Sequence, residues 1–115
     1  MTENERRTTE RVYFIAPCMI HIEGFEEDYN GDILNLSQHG AFIKPKRQLP
    51  EDLVGRNATL IIYDQDFHTI SRIKADGKIV HENNLGIGFY MRSIDPKSFE
   101  QLNRVLAKEN GRSRR

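Results

Sequence analysis

Residues 69–91 read TISRIKADGKIVHENNLGIGFYM, and this stretch decides the fold. Its first half alternates with the period of two that is typical of a half-buried β-strand. One parity holds Ile73, Ala75, Gly77 and Ile79, and the other holds Arg72, Lys74, Asp76 and Lys78. Asn83-Asn84 suits a turn, and Leu85, Ile87, Phe89 and Met91 then alternate again. The stretch predicts an antiparallel hairpin with one exposed face.

Four more strands are predicted before this hairpin. The first begins at Val12, with Val12, Phe14, Ala16, Cys18, Ile20 and Ile22 on one parity. Because Tyr13, Ile15 and Met19 make its other face partly apolar, we expect both faces to be covered. Shorter strands are predicted over about 29–36, 41–44 and 58–62, and Pro45 and Pro50 break the pattern between the last two. Six strands without intervening helices favour an antiparallel barrel or sandwich.

The C-terminal segment changes to a helical period. Asp95 is a candidate N-cap, Pro96 fits the first helical position, and Ile94 and Phe99 have the spacing of a hydrophobic staple. Phe99, Leu102, Val105 and Leu106 form one apolar stripe. With Asn110-Gly111 as the stop signal, we predict a helix over about 95–110 that packs across a barrel opening.

Length and composition limit the classes of protein that the chain can be. A chain of 115 residues with 37% hydrophobic residues forms one domain, which excludes a two-domain cofactor enzyme. Lys and Arg (17) balance Asp and Glu (17), so no net field attracts nucleic acid or an anionic membrane. Without a membrane span, an apolar leader or a second cysteine beside Cys18, we expect a soluble, cytoplasmic protein.

The predicted organisation has three parts. Residues 1–11 form a flexible, arginine-rich segment, residues 12–110 form the barrel with its helix, and residues 111–115 form a disordered basic tail. The histidines are His21, His39, His68 and His81. They are scattered, and no glycine-flanked serine is present, so we expect neither an enzyme, nor a metal site, nor a cofactor. Cys18 is expected to be an inert packing group.

Two short motifs carry the functional prediction. Arg7 and Arg11, with Arg6 beside them, offer forked donors that match phosphate oxygens and the guanine edge. Their alternative interpretation is a solvated tail neutralised by nearby glutamates. The stretch 35–40, NLSQHG, is the second motif. If the strand continues through Ser37, Asn35 and Ser37 share a polar face while Leu34 and Leu36 turn inward; otherwise the motif is an ordinary strand-ending turn.

Together the motifs resemble the signature of the PilZ domain family, Arg-x-x-x-Arg followed by Asp/Asn-x-Ser-x-x-Gly. Here these are Arg7-Thr8-Thr9-Glu10-Arg11 and Asn35-Leu36-Ser37-Gln38-His39-Gly40, and Leu85-Gly86-Ile87-Gly88-Phe89 looks like the late glycine-rich strand of the family. The resemblance covers nearly the whole chain. It implies a six-stranded antiparallel β-barrel with a C-terminal helix.

The resemblance also implies a receptor for cyclic di-GMP that orders its N-terminal arginine segment over the ligand and signals to a protein partner. Arg7 and Arg11 would hold guanine and phosphate, Asn35 and Ser37 would read a guanine edge, and Gly40 would permit close approach. Arg6 extends the cluster as in members that bind an intercalated ligand dimer. Asn35 stands where many members have Asp, which removes a carboxylate that could pair with guanine.

Two other functions are also compatible with the sequence. The first is a PilZ-like interaction module that binds no nucleotide and uses an exposed apolar patch around Tyr13, Ile61 or Tyr63. The second is a small barrel for single-stranded nucleic acid, with a basic stripe at Arg72, Lys74 and Lys78 and stacking by Tyr90 or Phe42. The balanced net charge and the interleaved Asp76 argue against this second function.

Overall fold

The computed structural model describes residues 12–65 and 69–113, and for residues 110–113 it describes the backbone only. The elements are β1 Val12–Ile22, β2 Asp28–Leu36, β3 Gly40–Pro45, β4 Asn57–Gln65, β5 Ile70–Glu82, β6 Ile87–Ile94 and α1 Pro96–Ser113. Neighbouring strands are antiparallel, and the order β1-β2-β3-β6-β5-β4 closes into a barrel where β4 pairs with β1. The predicted six-stranded antiparallel barrel with a C-terminal helix is confirmed.

The alternating residues of the strands form the core. On β5 the predicted inward parity is buried, and on β1 it is buried except for the half-buried Phe14. The largest fully buried side chains are Phe89, Ile20, Ile22, Ile33, Leu36, Ile43, Leu53, Leu60, Ile62, Ile73, Ile79 and Ile87. Each such side chain stabilises the fold by roughly 1.5–3 kcal/mol relative to an exposed position.

The outer face of β1 differs from the prediction that it is covered. Tyr13 is 87% exposed and Ile15 is 77% exposed. Leu102, Val105 and Leu106 of α1 belong to the barrel core, as predicted for a helix that packs across an opening. The helix therefore does not cover these two side chains. An apolar alternation identifies the faces of a strand, but it does not show which element lies on each face.

The start of α1 is fixed by a small polar network. The Asp95 carboxylate accepts the Ser98 N–H at 2.9 Å and the Ser98 O–H at 2.9 Å, which makes it the predicted N-cap. The bonds from Ser98 also hold the pKa of Asp95 below its ordinary value. The Ser98 Oγ in turn accepts the Lys74 N–H at 2.9 Å, just beyond the last paired residues of β5 and β6. The network thus ties the helix to the barrel.

Two details of the helix differ from the prediction. Phe99 is 44% exposed, and Ser98 is buried in its place because its hydroxyl bridges the N-cap and β5. The helix continues to Ser113, past the predicted stop at Asn110-Gly111 and into the segment predicted as a tail. Glycine costs about 1 kcal/mol in a helix relative to alanine, which weakens a helix without ending it. Within the described ranges, no helix is long and apolar enough to span a membrane.

The buried thiol of Cys18 should make the free energy of unfolding depend on pH. Burial, and then the nearby Asp32, raise the pKa of its thiol from 9.0 to about 12. Because the unfolded thiol ionises first, the folded state loses stability as pH rises from about 9 towards 12, and this loss is absent below pH 9. We expect Cys18→Ala to reduce the decline in unfolding free energy between pH 8 and pH 10 by about 1 kcal/mol, measured by urea titration. Equal declines in both proteins would refute this role of the thiol.

Candidate functional site

The Ser37–Gly40 turn joins β2 to β3 and contains most of the second motif. β2 ends at Leu36, as predicted for the strand over about 29–36, so Ser37 belongs to the turn and not to the strand. The Ser37 side chain is buried, and its Oγ accepts the N–H groups of His39 at 3.3 Å and Gly40 at 3.2 Å. The Ser37 N–H also donates to the Gly40 carbonyl at 2.9 Å. The hydroxyl therefore shapes the turn, as in the alternative interpretation of this motif.

The turn is also attached to its neighbours. The His39 carbonyl accepts the Met91 N–H of β6 at 2.7 Å. Gln38 Nε2 lies 3.5 Å from Asn103 Oδ1 of α1. The second motif thus lies between the barrel wall and the helix.

Gly40 fits this place because two strands approach closely there. It pairs with Tyr90 of β6, and a Cβ atom at Gly40 would lie well inside the van der Waals distance of the Phe89 carbonyl oxygen. The resemblance implies that the ligand approaches closely at this glycine, whereas the close approach in the structure is made by the backbone of β6. The need for glycine is consequently a requirement of the fold.

Asn35 owes its orientation to a β-bulge. In the pairing with β3, Ile33 faces Ile43 and Asn35 faces Phe42, so Leu34 is an extra residue on β2. The bulge allows Ile33 and Leu36, which are three positions apart, both to be fully buried, whereas Leu34 is only half-buried. The inward orientation of Leu34, which was expected only if the strand continued through Ser37, does not occur. Asn35 is half-buried on the outer side of the barrel.

Asn35 lies in a row of directly paired residues that crosses five strands. The row is Tyr13 on β1, Asn35 on β2, Phe42 on β3, Gly88 on β6 and His81 on β5. We call it the aromatic row. Tyr13 and His81 are exposed, and Asn35 and Phe42 are half-buried. No member carries a carboxylate, so the row has no negative charge that would repel an anionic ligand.

The arginines of the first motif, Arg6, Arg7 and Arg11, lie outside the described residues. Their point of attachment to the barrel is described, however. Val12, the residue after Arg11, pairs with Leu36, the residue before Ser37. The chain therefore enters the barrel directly beside the second motif, at the Tyr13 end of the aromatic row.

A polar cleft elsewhere on the described surface has a different character. It has a volume of about 500 Å³ and is lined by His21, Glu23, Asn57, Ala58, Thr59, Asp76, Gly77, Arg92 and Ser93. Thr59 Oγ1 donates to Asp76 Oδ1 at 2.6 Å, and His21 pairs with Asp28 at 2.7 Å. Its carboxylates disfavour a nucleotide. In the described ranges, no group of three or more His, Cys, Asp or Glu could hold a metal ion.

The structure also describes the surfaces that the two alternative functions would use. For an interaction module, Tyr13 is exposed, but Ile61 and Tyr63 are half-buried. For nucleic acid binding, Arg72 and Lys74 are exposed, and the half-buried Lys78 pairs with Tyr90, which is 47% exposed. The basic stripe is interrupted by Asp76, so it does not form a continuous cationic groove.

Comparison with known proteins agrees with this geometry. A structure described as the PilZ domain with c-di-GMP of YcgR from Escherichia coli matches with a TM-score of 0.72 at 13% identity, covering 95% of each chain. The PilZ domain of CeSA from a cellulose-synthesizing bacterium matches with a TM-score of 0.60 at 17% identity, covering 84% of this chain and 94% of that one. No curated protein matches the sequence significantly. The family model for the PilZ domain matches residues 5–108, and the chain belongs to the PilZ domain family.

Proposed function

We propose that this protein is a cyclic di-GMP receptor that binds its ligand on the aromatic row, beside the Ser37–Gly40 turn. The observation that carries the proposal is the pairing of Val12 with Leu36, which brings the attachment point of the arginine segment next to the second motif. In support, a structural neighbour is described as a PilZ domain with c-di-GMP.

The chemistry of the residues fits a cyclic dinucleotide. Arg7 and Arg11 supply bidentate donors for phosphate and for the O6/N7 edge of guanine. The Asn35 amide offers a donor and an acceptor to a base edge. Ser37 acts through the turn: its hydroxyl holds the backbone of His39 and Gly40 in place. We therefore treat Ser37 and Gly40 as positioning residues of the proposed site.

Arg6 is relevant to the number of ligand molecules that bind to each chain. An intercalated dimer of cyclic di-GMP brings four phosphate charges instead of two, and a third cation beside Arg7 offsets part of that added charge. We propose that the ligand binds as a dimer and that Arg6 contributes to its second half.

We propose that the protein signals the bound ligand through an ordering of residues 1–11. Residues 1–11 close over the bound ligand, so that a protein effector recognises a different surface in the bound state. Ordering about ten residues opposes binding, and we expect a micromolar or submicromolar dissociation constant.

The location of the site can be tested by ¹⁵N-resolved NMR with added cyclic di-GMP, using GTP and linear pGpG as controls. We expect the largest shifts at the amides of His39, Gly40 and Gly88, and small ones at Thr59 and Asp76 of the polar cleft. Saturable shifts concentrated in the polar cleft would contradict the proposed site.

One observation favours a second candidate, an interaction module without a nucleotide ligand. Tyr13 and Ile15 leave an apolar surface exposed at the start of β1. This candidate predicts no shifts with any nucleotide, together with capture of a protein partner that depends on those two side chains.

A further inference from the structure

Tyr13 presents its side chain to solvent on the outer face of β1. It is 87% exposed, more than any other large hydrophobic residue in the described chain. Its neighbours along β1, Val12 and Phe14, are buried and half-buried, so the strand is anchored without it. A tyrosine ring held on a rigid strand and left in water is a large contact area that costs little entropy to use in binding.

The position of Tyr13 is defined by the strand pairing. It lies directly opposite Asn35, and Asn35 lies directly opposite Phe42. Paired residues on one face have Cβ atoms about 4.5–5.5 Å apart. The Asn35 amide is therefore flanked by two aromatic side chains on adjacent strands, and Gly88 continues the row beyond Phe42 without a side chain.

This arrangement fits a purine base. The amide can bond the edge of a base while an adjacent aromatic ring packs against the face of the base. Of the two rings, Phe42 is half-buried and Tyr13 is exposed, so Tyr13 has the ring face available. Tyr13 also follows Arg11 by only two positions, which places it where the arginine segment joins the barrel.

We infer that Tyr13 is an additional ligand-binding residue, whose ring stacks on the guanine base that Asn35 reads. The inference rests on the proposed cyclic di-GMP site and adds a residue that neither signature motif contains. Tyr13 would contribute by stacking, and its hydroxyl would be dispensable.

The test compares three variants by calorimetric titration with cyclic di-GMP. Tyr13→Ala should bind about 5- to 100-fold more weakly than the wild type, the usual range for losing one aromatic stacking partner. Tyr13→Phe keeps the ring and should bind within about twofold of the wild type. Ile15→Ala is the matched control, because Ile15 is also exposed but lies in the irregular part of β1, without a paired residue on β2. It should bind like the wild type.

A second measurement does not depend on substitution. Nitration of the native protein, mapped by mass spectrometry, should modify Tyr13 in the free protein and should be suppressed there by cyclic di-GMP but not by GTP. Wild-type affinity in Tyr13→Ala, or unchanged nitration of Tyr13 with bound ligand, would overturn the inference and leave the proposed function standing. Absence of binding by the wild type would overturn both.

Discussion

A double variant, Arg7→Ala with Arg11→Ala, is expected to bind cyclic di-GMP about 10²- to 10⁴-fold more weakly than the wild type. Loss of one bidentate arginine contact costs about 1–3 kcal/mol, or roughly 10- to 100-fold in affinity. The range given for the double variant is the product of two such losses. The measurement is equilibrium binding at fixed salt, because contacts with phosphate weaken as ionic strength rises.

The matched control removes two cations from elsewhere on the barrel. Arg72 and Lys74 are exposed on β5, nine and seven residues before His81, the member of the aromatic row on that strand, and their replacement by Ala should leave the affinity within about twofold. Thermal unfolding of both double variants should match the wild type. If the variant at positions 7 and 11 binds like the wild type, the assignment of those arginines to the ligand is wrong.

Gly40→Ala is expected to lower the free energy of unfolding by about 3 kcal/mol, at the upper end of the range for overpacking. The added methyl group would meet the Phe89 carbonyl oxygen, which belongs to a paired strand and cannot rotate away. To make room, β3 and β6 must separate where the Ser37–Gly40 turn ends and β3 begins. Thermal denaturation should show a midpoint lower by roughly 10 °C or more.

Gly88→Ala provides the comparison for this variant. A Cβ atom there would lie 3.1 Å from the Cβ of His81, a side-chain contact that a shift of a few tenths of an ångström relieves. We therefore expect a smaller loss of stability than for Gly40→Ala. Equal midpoints for Gly40→Ala and the wild type would show that the close approach of β3 and β6 is not a constraint. Because Gly40→Ala is expected to destabilise the fold, a loss of ligand binding in this variant does not by itself show that Gly40 contacts the ligand.

The sequence predicted most of the fold, because alternation and capping are local signals. The buried parity of β5 and the Asp95 N-cap follow from residue spacing alone, and both are confirmed. The bulge at Leu34 could not be predicted, since an extra residue shows only when the partner strands are aligned. The expectation that both faces of β1 are covered failed at Tyr13 for a related reason: what covers an apolar outer face depends on where distant elements pack.

The sequence indicated which residues belong to the candidate site, but it did not predict how the fold arranges them. Asn35 faces outward as expected, but the bulge sets this orientation, not an unbroken alternation of β2. Ser37 follows the second of the two interpretations that the sequence left open, because β2 ends one residue before it and its hydroxyl is committed to the turn. The predicted roles of Arg6, Arg7 and Arg11 concern residues outside those described and remain predictions. The aromatic row has no sequence signature, since its members come from five strands.

Isothermal titration of the purified protein with cyclic di-GMP tests the central claim most directly, with GTP and linear pGpG as controls. It reads the affinity and the number of ligands per chain in one experiment. We predict saturable binding at micromolar or submicromolar concentration with about two ligands per chain, and no binding of either control. A ratio near one ligand per chain would still support the receptor function, but it would contradict the proposed role of Arg6 in binding a ligand dimer. The absence of heat and of any thermal stabilisation at high ligand concentration would contradict the receptor function itself.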